Sequence, residues 1–251
     1  MADRYDTESA MYPVLFEYLR DQGRFVCMQV PVRSYRADFV SFQVNWDAAR
    51  LRLQYGLLEP IHRAPVWRLL LTLRQYPGAG LADLPGLLRL TPGYVRSLLN
   101  ELERLEVLSV NRSRVDLLYW PDLLFRDAQV VEAKLSDWKR AVRQAMRYAC
   151  SASQLYIALP QRLADQLAND PPPGLARSGV GILAVNSGVR IALPSREFGS
   201  GRYTIELHQL SEYLWSEILH ALRRLNREAK RNSWLPVKPE DVPSDLPADV
   251  R

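Results

Sequence analysis

Hydrophobic and polar positions along the chain predict an alternation of helices and strands. The stretch "ESAMYPVLFEYLRDQG" reads as a first helix, with Asp6 or Thr7 as its cap, Gly23 as its stop and Pro13 inside it. Two β-like runs follow, "RFVCMQVPV" and "RADFVSFQV", separated by a polar turn at Arg33 and Ser34. Residues 47–62 fit helix and strand alike. "APVWRLLLTLRQY" and "GLADLPGLLRL" read as helices. A third helix, "TPGYVRSLLNELERLEVL", has Thr91 as N-cap and Pro92 in its first turn, and "LSVNRSRVDLLYW" reads as a hairpin with a basic tip. Three helices and then a two-stranded wing is the order of a winged helix-turn-helix.

Beyond the wing, "PDLLFRDAQVVEAKL" predicts a strand or tight hairpin, followed by a helix over Ser136 to Ser151 and the strand "QLYIALP". Next come a helix "QRLADQLAND", a proline loop at Pro171–Pro173, and a hairpin in which "GVGILAV" and "VRIALP" flank Asn186-Ser187-Gly188. A long amphipathic helix runs from about Leu207 to Lys230, and the proline-rich end reads as a disordered tail. No internal repeat is present. The expected organisation is a core begun by residues 1–60, an insertion over 61–120, the rest of the core over 121–232, and a tail over 233–251.

Composition narrows the class only slightly. Of the 251 residues, 47% are hydrophobic and 24% charged, ordinary proportions for a globular protein. No stretch has the uncharged apolar length of a membrane span, the first ten residues lack the build of a signal peptide, and the two cysteines form no framework. A cytoplasmic protein with no membrane partner is the expectation. The net charge of +5, supplied mainly by arginine, permits a nucleic-acid partner without requiring one.

The informative stretch is "VVEAK". Residues two apart on a strand share a face, so Glu132 and Lys134 project together from a run, Val130, Val131, Ala133 and Leu135, that seeks burial. A buried acid and lysine need a partner, a ligand or a reaction. Trp138, Ala141, Val142, Ala145 and Ala149 read as core, and His62, His208 and His220 as structural, since they lack metal or triad spacing.

Glu132-Ala133-Lys134 on its strand, the next helix with Gln144-Ala145 and Tyr148, and the strand "LYIALP" together resemble the PD-(D/E)xK nuclease superfamily. The resemblance spans most of residues 5–195 apart from the helical insertion. It implies an α/β fold: a restriction-endonuclease-like core, with a central mixed sheet flanked by helices, carrying an inserted winged helix-turn-helix. It also implies hydrolysis of DNA phosphodiesters assisted by Mg²⁺ or Mn²⁺. Such chemistry needs oxygen ligands for the metal, an activated water and cover for developing negative charge. The candidate metal acids are Asp38, in "YRADFV", and Glu132, with the Ala133 carbonyl as a further ligand; Asp122, in Pro121-Asp122, is the alternative first acid. By the same resemblance, Lys134 orients the water, Glu8 is an additional acid near the metal, and Gln144 holds the site or substrate.

In the insertion, Val95, Leu98, Leu99, Leu102 and Leu105 mark the inner face of the third helix. Tyr94, Arg96, Ser97 and Asn100 then face outward near its N-terminus, where a helix-turn-helix reaches DNA, and Arg112 and Arg114 occupy the wing tip. The expected function is that of a metal-dependent DNA nuclease, a hydrolase whose winged helix seats DNA, with a homodimer left open. The alternative is a DNA-binding or regulatory protein with an inactive nuclease-like core.

Overall fold

Pro13 falls where a helix tolerates it. In the computed structural model, which describes residues 5–32, 35–198, 204–228 and positions 242, 243 and 246, a 3-10 turn (Glu8–Met11) precedes α1 (Tyr12–Asp21). Pro13 therefore sits in the first turn, where its missing N–H has no intrahelical partner to lose. Thr7 is extended but makes no side-chain cap.

Strands β1 (Phe25–Val32) and β2 (Tyr35–Val44) form an antiparallel pair; the turn expected at Arg33 and Ser34 lies outside the described residues. The ambiguous stretch resolves into helix α2 (Trp46–Gln54), capped by the Asn45 side chain. Helices α3 (Ala64–Gln75), α4 (Leu84–Leu88) and α5 (Pro92–Arg104) come next, then the hairpin β3 (Leu108–Asn111) and β4 (Arg114–Leu117). As its sequence indicates, Thr91 caps α5 by accepting from the Tyr94 N–H.

The chain returns as one continuous strand, β5 (Phe125–Ala133), not a hairpin. Helix α6 (Trp138–Ala145), capped by Asp137, ends sooner than expected and tightens into a 3-10 turn (Met146–Tyr148). Then come β6 (Gln154–Pro160), α7 (Gln161–Asn169), α8 (Pro173–Ser178), which begins in the expected proline loop, the hairpin β7 (Gly181–Val185) and β8 (Val189–Leu193), and α9 (Ile205–Glu228).

Six strands make a mixed sheet in the order β1-β2-β5-β6-β7-β8, parallel only across β5-β6-β7. Alternation along β5 divides its side chains between two cores. Ala128 and Val130 join α2, α6, α7 and α9 on one face, while Val131 and Ala133 join Leu15, Phe16 and Leu19 of α1 on the other. The protein is thus α/β, with a mixed sheet flanked by helices. A separate core lies in the helical unit, built on Trp67, Leu70, Leu84, Leu98, Leu102 and Val115. Of the stretch 233–251, only positions 242, 243 and 246 are described, and Leu246 is buried against the first core. Among the described residues no helix is long and apolar enough to cross a membrane.

The helical unit is joined to the sheet through α9. The buried Arg52 of α2 bonds both carboxylate oxygens of buried Glu212, at 2.6 and 2.5 Å, and the Leu57 carbonyl at 3.0 Å. Glu212 Oε2 also accepts the Ile61 N–H at 2.7 Å. His208 stacks on Trp67, and the Gln209 amide donates to the His62 carbonyl at 3.2 Å.

Candidate active site

At one end of the sheet the ladder gives way to side chains. The β2–β5 register pairs Phe39 with Val131, and one step further Asp38 and Glu132 face each other across the seam. On its other side, the Met28–Phe39 and Val30–Ala37 pairs put Gln29 opposite Asp38. Gln29 adopts a left-handed backbone (φ 53°), which costs a non-glycine residue about 1 kcal/mol. Its side-chain amide reaches Asp38 Oδ1 at 3.0 Å.

Asp38 is held from three directions. Its Oδ1 also accepts from the Tyr12 hydroxyl at 2.7 Å, and its Oδ2 takes the Ala133 backbone N–H at 2.9 Å, replacing a ladder bond. Tyr12 is brought there by α1, whose Leu15 and Phe16 pack on the opposite face of the sheet. The sequence reading missed both Tyr12 and Gln29. Tyr12 lies four residues after Glu8, a spacing that places two helical residues on one side, and this was the available signal. For Gln29 no sequence pattern announces the positive φ.

Glu132 is buried, and its Oε1 has no hydrogen-bond partner among the described residues. Tyr148, at the end of the 3-10 turn after α6, lies beside its carboxyl. Burial first, and then the Asp38 charge, push the Glu132 carboxyl up to about 8, against the opposing pull of Lys134 and Tyr148. The same burial, with the neighbouring carboxylates, raises Tyr12 and Tyr148 well above the ordinary phenol range, so both remain hydroxyl donors. The Lys134 ammonium donates to Glu8 Oε2 and to the Ala133 carbonyl, each at 2.8 Å, and stands 3.9 Å from Asp38 Oδ2. Gln144 lies one turn before Tyr148, half-buried, with its Oε1 buried and without a partner among the described residues.

The fold therefore brings Asp38, Glu132, Lys134 and Glu8 together and sets α6, with Gln144 and Tyr148, beside them. Asp122 is not part of the group: it is exposed in the segment leading into the far end of β5. Among the described residues, no three His, Cys, Asp or Glu side chains cluster closely enough to enclose a metal. The donors at hand are two carboxylates and a main-chain carbonyl, all hard oxygens. Mg²⁺ keeps several waters and is commonly held by one or two carboxylates, so this set suits it.

The residues expected to touch DNA are separately placed. Arg96, Ser97 and Asn100 are exposed on α5, and Arg112 and Arg114 are exposed at the hairpin turn, with Arg114 paired to Asp116. Tyr94 is half-buried, its hydroxyl accepting from Arg63, which also pairs with Glu101. Of the histidines, His208 is fully buried while His62 and His220 are exposed.

Comparison with family models, with curated proteins and with solved structures returned no match.

Proposed function

We propose that the chain is a metal-dependent nuclease of the restriction-endonuclease-like kind, hydrolysing DNA phosphodiesters, with residues 61–120 inserted as a winged helix-turn-helix. One observation carries the reading: Asp38 and Glu132 face each other on adjacent strands, with the Lys134 ammonium beside Asp38. Asp38, Glu132 and the Ala133 carbonyl would hold Mg²⁺ or Mn²⁺. When bound, such an ion supplies Lewis acidity to a phosphoryl oxygen and acidifies a water toward neutral pH.

The protein's own groups prepare that position. Tyr12, Gln29 and the Ala133 N–H hold Asp38 in one orientation. Tyr148 lies beside Glu132, whose Oε1 has no protein partner among the described residues. Glu132 retains a proton near neutrality, and a cation held there would favour its carboxylate form. Lys134, tethered between Glu8 and the Ala133 carbonyl, sets a positive charge where phosphoryl oxygens gain negative charge.

The DNA-reading role of the insertion is supported by its element order, by the three residues, 89–91, that join α4 to α5, and by the polar, exposed positions early in α5. The test is cleavage of labelled single-stranded and duplex DNA by purified full-length protein with Mg²⁺ or Mn²⁺. Wild type is expected to cut and Glu132→Gln is not. DNA bound but never cut with either metal would leave a DNA-binding protein with an inactive core.

A further inference from the structure

Helix α6 divides into two faces. Ala141, Val142 and Ala145, with Tyr148 beyond them, are buried against the sheet. On the other side Lys139, Arg140, Arg143 and Arg147 are all exposed, and no acid occurs between Trp138 and Tyr148. At helical spacing Lys139 and Arg143 form one line, which Arg147 in the following 3-10 turn continues, and Arg140 lies beside it.

These cations differ from many others on the surface. Arg63, Arg114, Arg126 and Arg190 each meet a carboxylate. None of Lys139, Arg140, Arg143 and Arg147 has an ion-pair partner among the described residues. The line also ends at the candidate site. Arg147 precedes Tyr148, which lies beside Glu132, and the Arg147 guanidinium lies over the exposed Tyr35 ring, 3.9 Å from its centroid. Tyr35 is three residues before Asp38 on β2, about 10 Å along a strand. Gln144, with its buried Oε1 unpartnered among the described residues, falls between the buried face and Arg140.

We infer that the exposed face of α6 is a phosphate-binding ridge that holds the backbone of a DNA strand and leads it past Tyr35 to Asp38 and Glu132. This rests on the nuclease reading and adds the surface that delivers the substrate, distinct from the helical insertion. Eight residues of helix span about 12 Å, long enough to meet successive phosphates of one strand. A line of arginines without acidic partners suits this ligand because the guanidinium fork bonds phosphate oxygens in pairs.

The test compares two full-length double variants that remove the same charge. Arg143→Gln/Arg147→Gln removes ridge cations, whereas Arg126→Gln/Arg190→Gln removes cations already paired to carboxylates. Affinity for labelled single-stranded and duplex oligonucleotides is measured without metal over a salt series, and circular dichroism checks that both variants are folded. The ridge variant is expected to lower the salt slope by about 1.8 units on duplex and about 1.4 on single strands, since each phosphate no longer neutralised takes away roughly 0.9 and 0.7 respectively. The paired-cation variant is expected to change it little. Equal changes in the two variants, or an unchanged slope in the ridge variant of a protein that cuts DNA, would overturn the ridge and leave the nuclease reading standing. A wild type that binds through the ridge but cuts nothing would overturn the nuclease reading alone, and one that neither binds nor cuts would overturn both.

Discussion

The His208 imidazole lies flat on the Trp67 indole, with ring centroids 4.1 Å apart and planes within 13°. Trp120 stands edge-on to the same imidazole at 5.5 Å, and Arg74 covers Trp120 at 4.3 Å. A residue of α9 is thereby sealed inside the helical unit. Burial, and secondarily the Arg74 charge, lower the His208 value from 6.5 to about 4, so the ring is neutral in the folded chain.

The first prediction follows from that depression. Between pH 6.5 and 4 the unfolded chain takes up a proton at His208 that the folded chain refuses, so stability falls as pH is lowered through this window. The expected loss is on the order of 2–3 kcal/mol by pH 4. His208→Phe, which keeps a flat ring that cannot ionise, is expected to reduce the slope of stability against pH. Urea unfolding at stepped pH checks it; an unaltered slope in the variant would show that His208 is not the source.

Glu132 predicts the opposite dependence. Its folded value, about 8, lies above the ordinary 4.5, so the folded chain keeps a proton that the unfolded chain releases. Without metal, the stability due to this group is fully present below pH 4.5 and declines as pH rises to 8, by an amount on the order of a few kcal/mol. Glu132→Gln is expected to remove the decline and to be more stable than wild type at pH 8 in chelator. Thermal melts across this range decide the matter, and parallel curves for the two proteins would count against it.

Tyr12→Phe deletes the hydroxyl that donates to Asp38 at 2.7 Å and accepts from the Gln29 amide at 3.4 Å. Loss of an orienting hydrogen bond to a metal ligand typically costs about 10–100-fold in metal affinity. Calorimetric titration with Mn²⁺ is expected to show that loss with only a small change in melting temperature. Wild-type affinity in the variant would mean that Gln29 and the Ala133 N–H suffice to hold Asp38.

On the helical unit, Arg96→Ala and Arg112→Ala are each expected to weaken DNA binding. Removing a cation that touches a phosphate should lower the salt slope by about one unit, and removing a bidentate bond to a base should cost about 1–3 kcal/mol of discrimination. Titration of labelled duplex at several salt concentrations measures both. Unchanged affinity and slope in the double variant would point to a protein-docking module.

How far the sequence foretold the fold depended on the range of the forces involved. Thr91 and Pro92 mark the start of α5, and the "VVEAK" strand sends its alternate residues to two faces, because capping and strand alternation are local. The stretch over 47–62 stayed ambiguous because its outcome is set from afar. Arg52 finds its carboxylate 160 positions away, at Glu212. Whether Asp38 or Asp122 stands beside Glu132 is likewise a question of register, and the pairing of Phe39 with Val131 puts Asp38 there. Tyr12 and Gln29 escaped notice because their role exists only once Asp38 is in place between them.

The join between the helical unit and the sheet has a geometric consequence. Both connections are pinned to α9: Trp215 Nε1 donates to the Leu57 and Leu58 carbonyls at 3.2 Å, and the Ser211 hydroxyl accepts the Leu124 N–H at 2.9 Å. Arg52 and Glu212 clamp the same place from inside, where breaking a buried pair costs about 3–5 kcal/mol. Both ends of the unit are thus fastened to one helix. If α5 grips a duplex, the distance from its contacts to the Asp38–Glu132 pair is a ruler cut into the fold, and cleavage would fall at a constant offset from the gripped bases. Lengthening the segment 55–63 should not lengthen that ruler, because the spacing is kept by α9 and not by the loop.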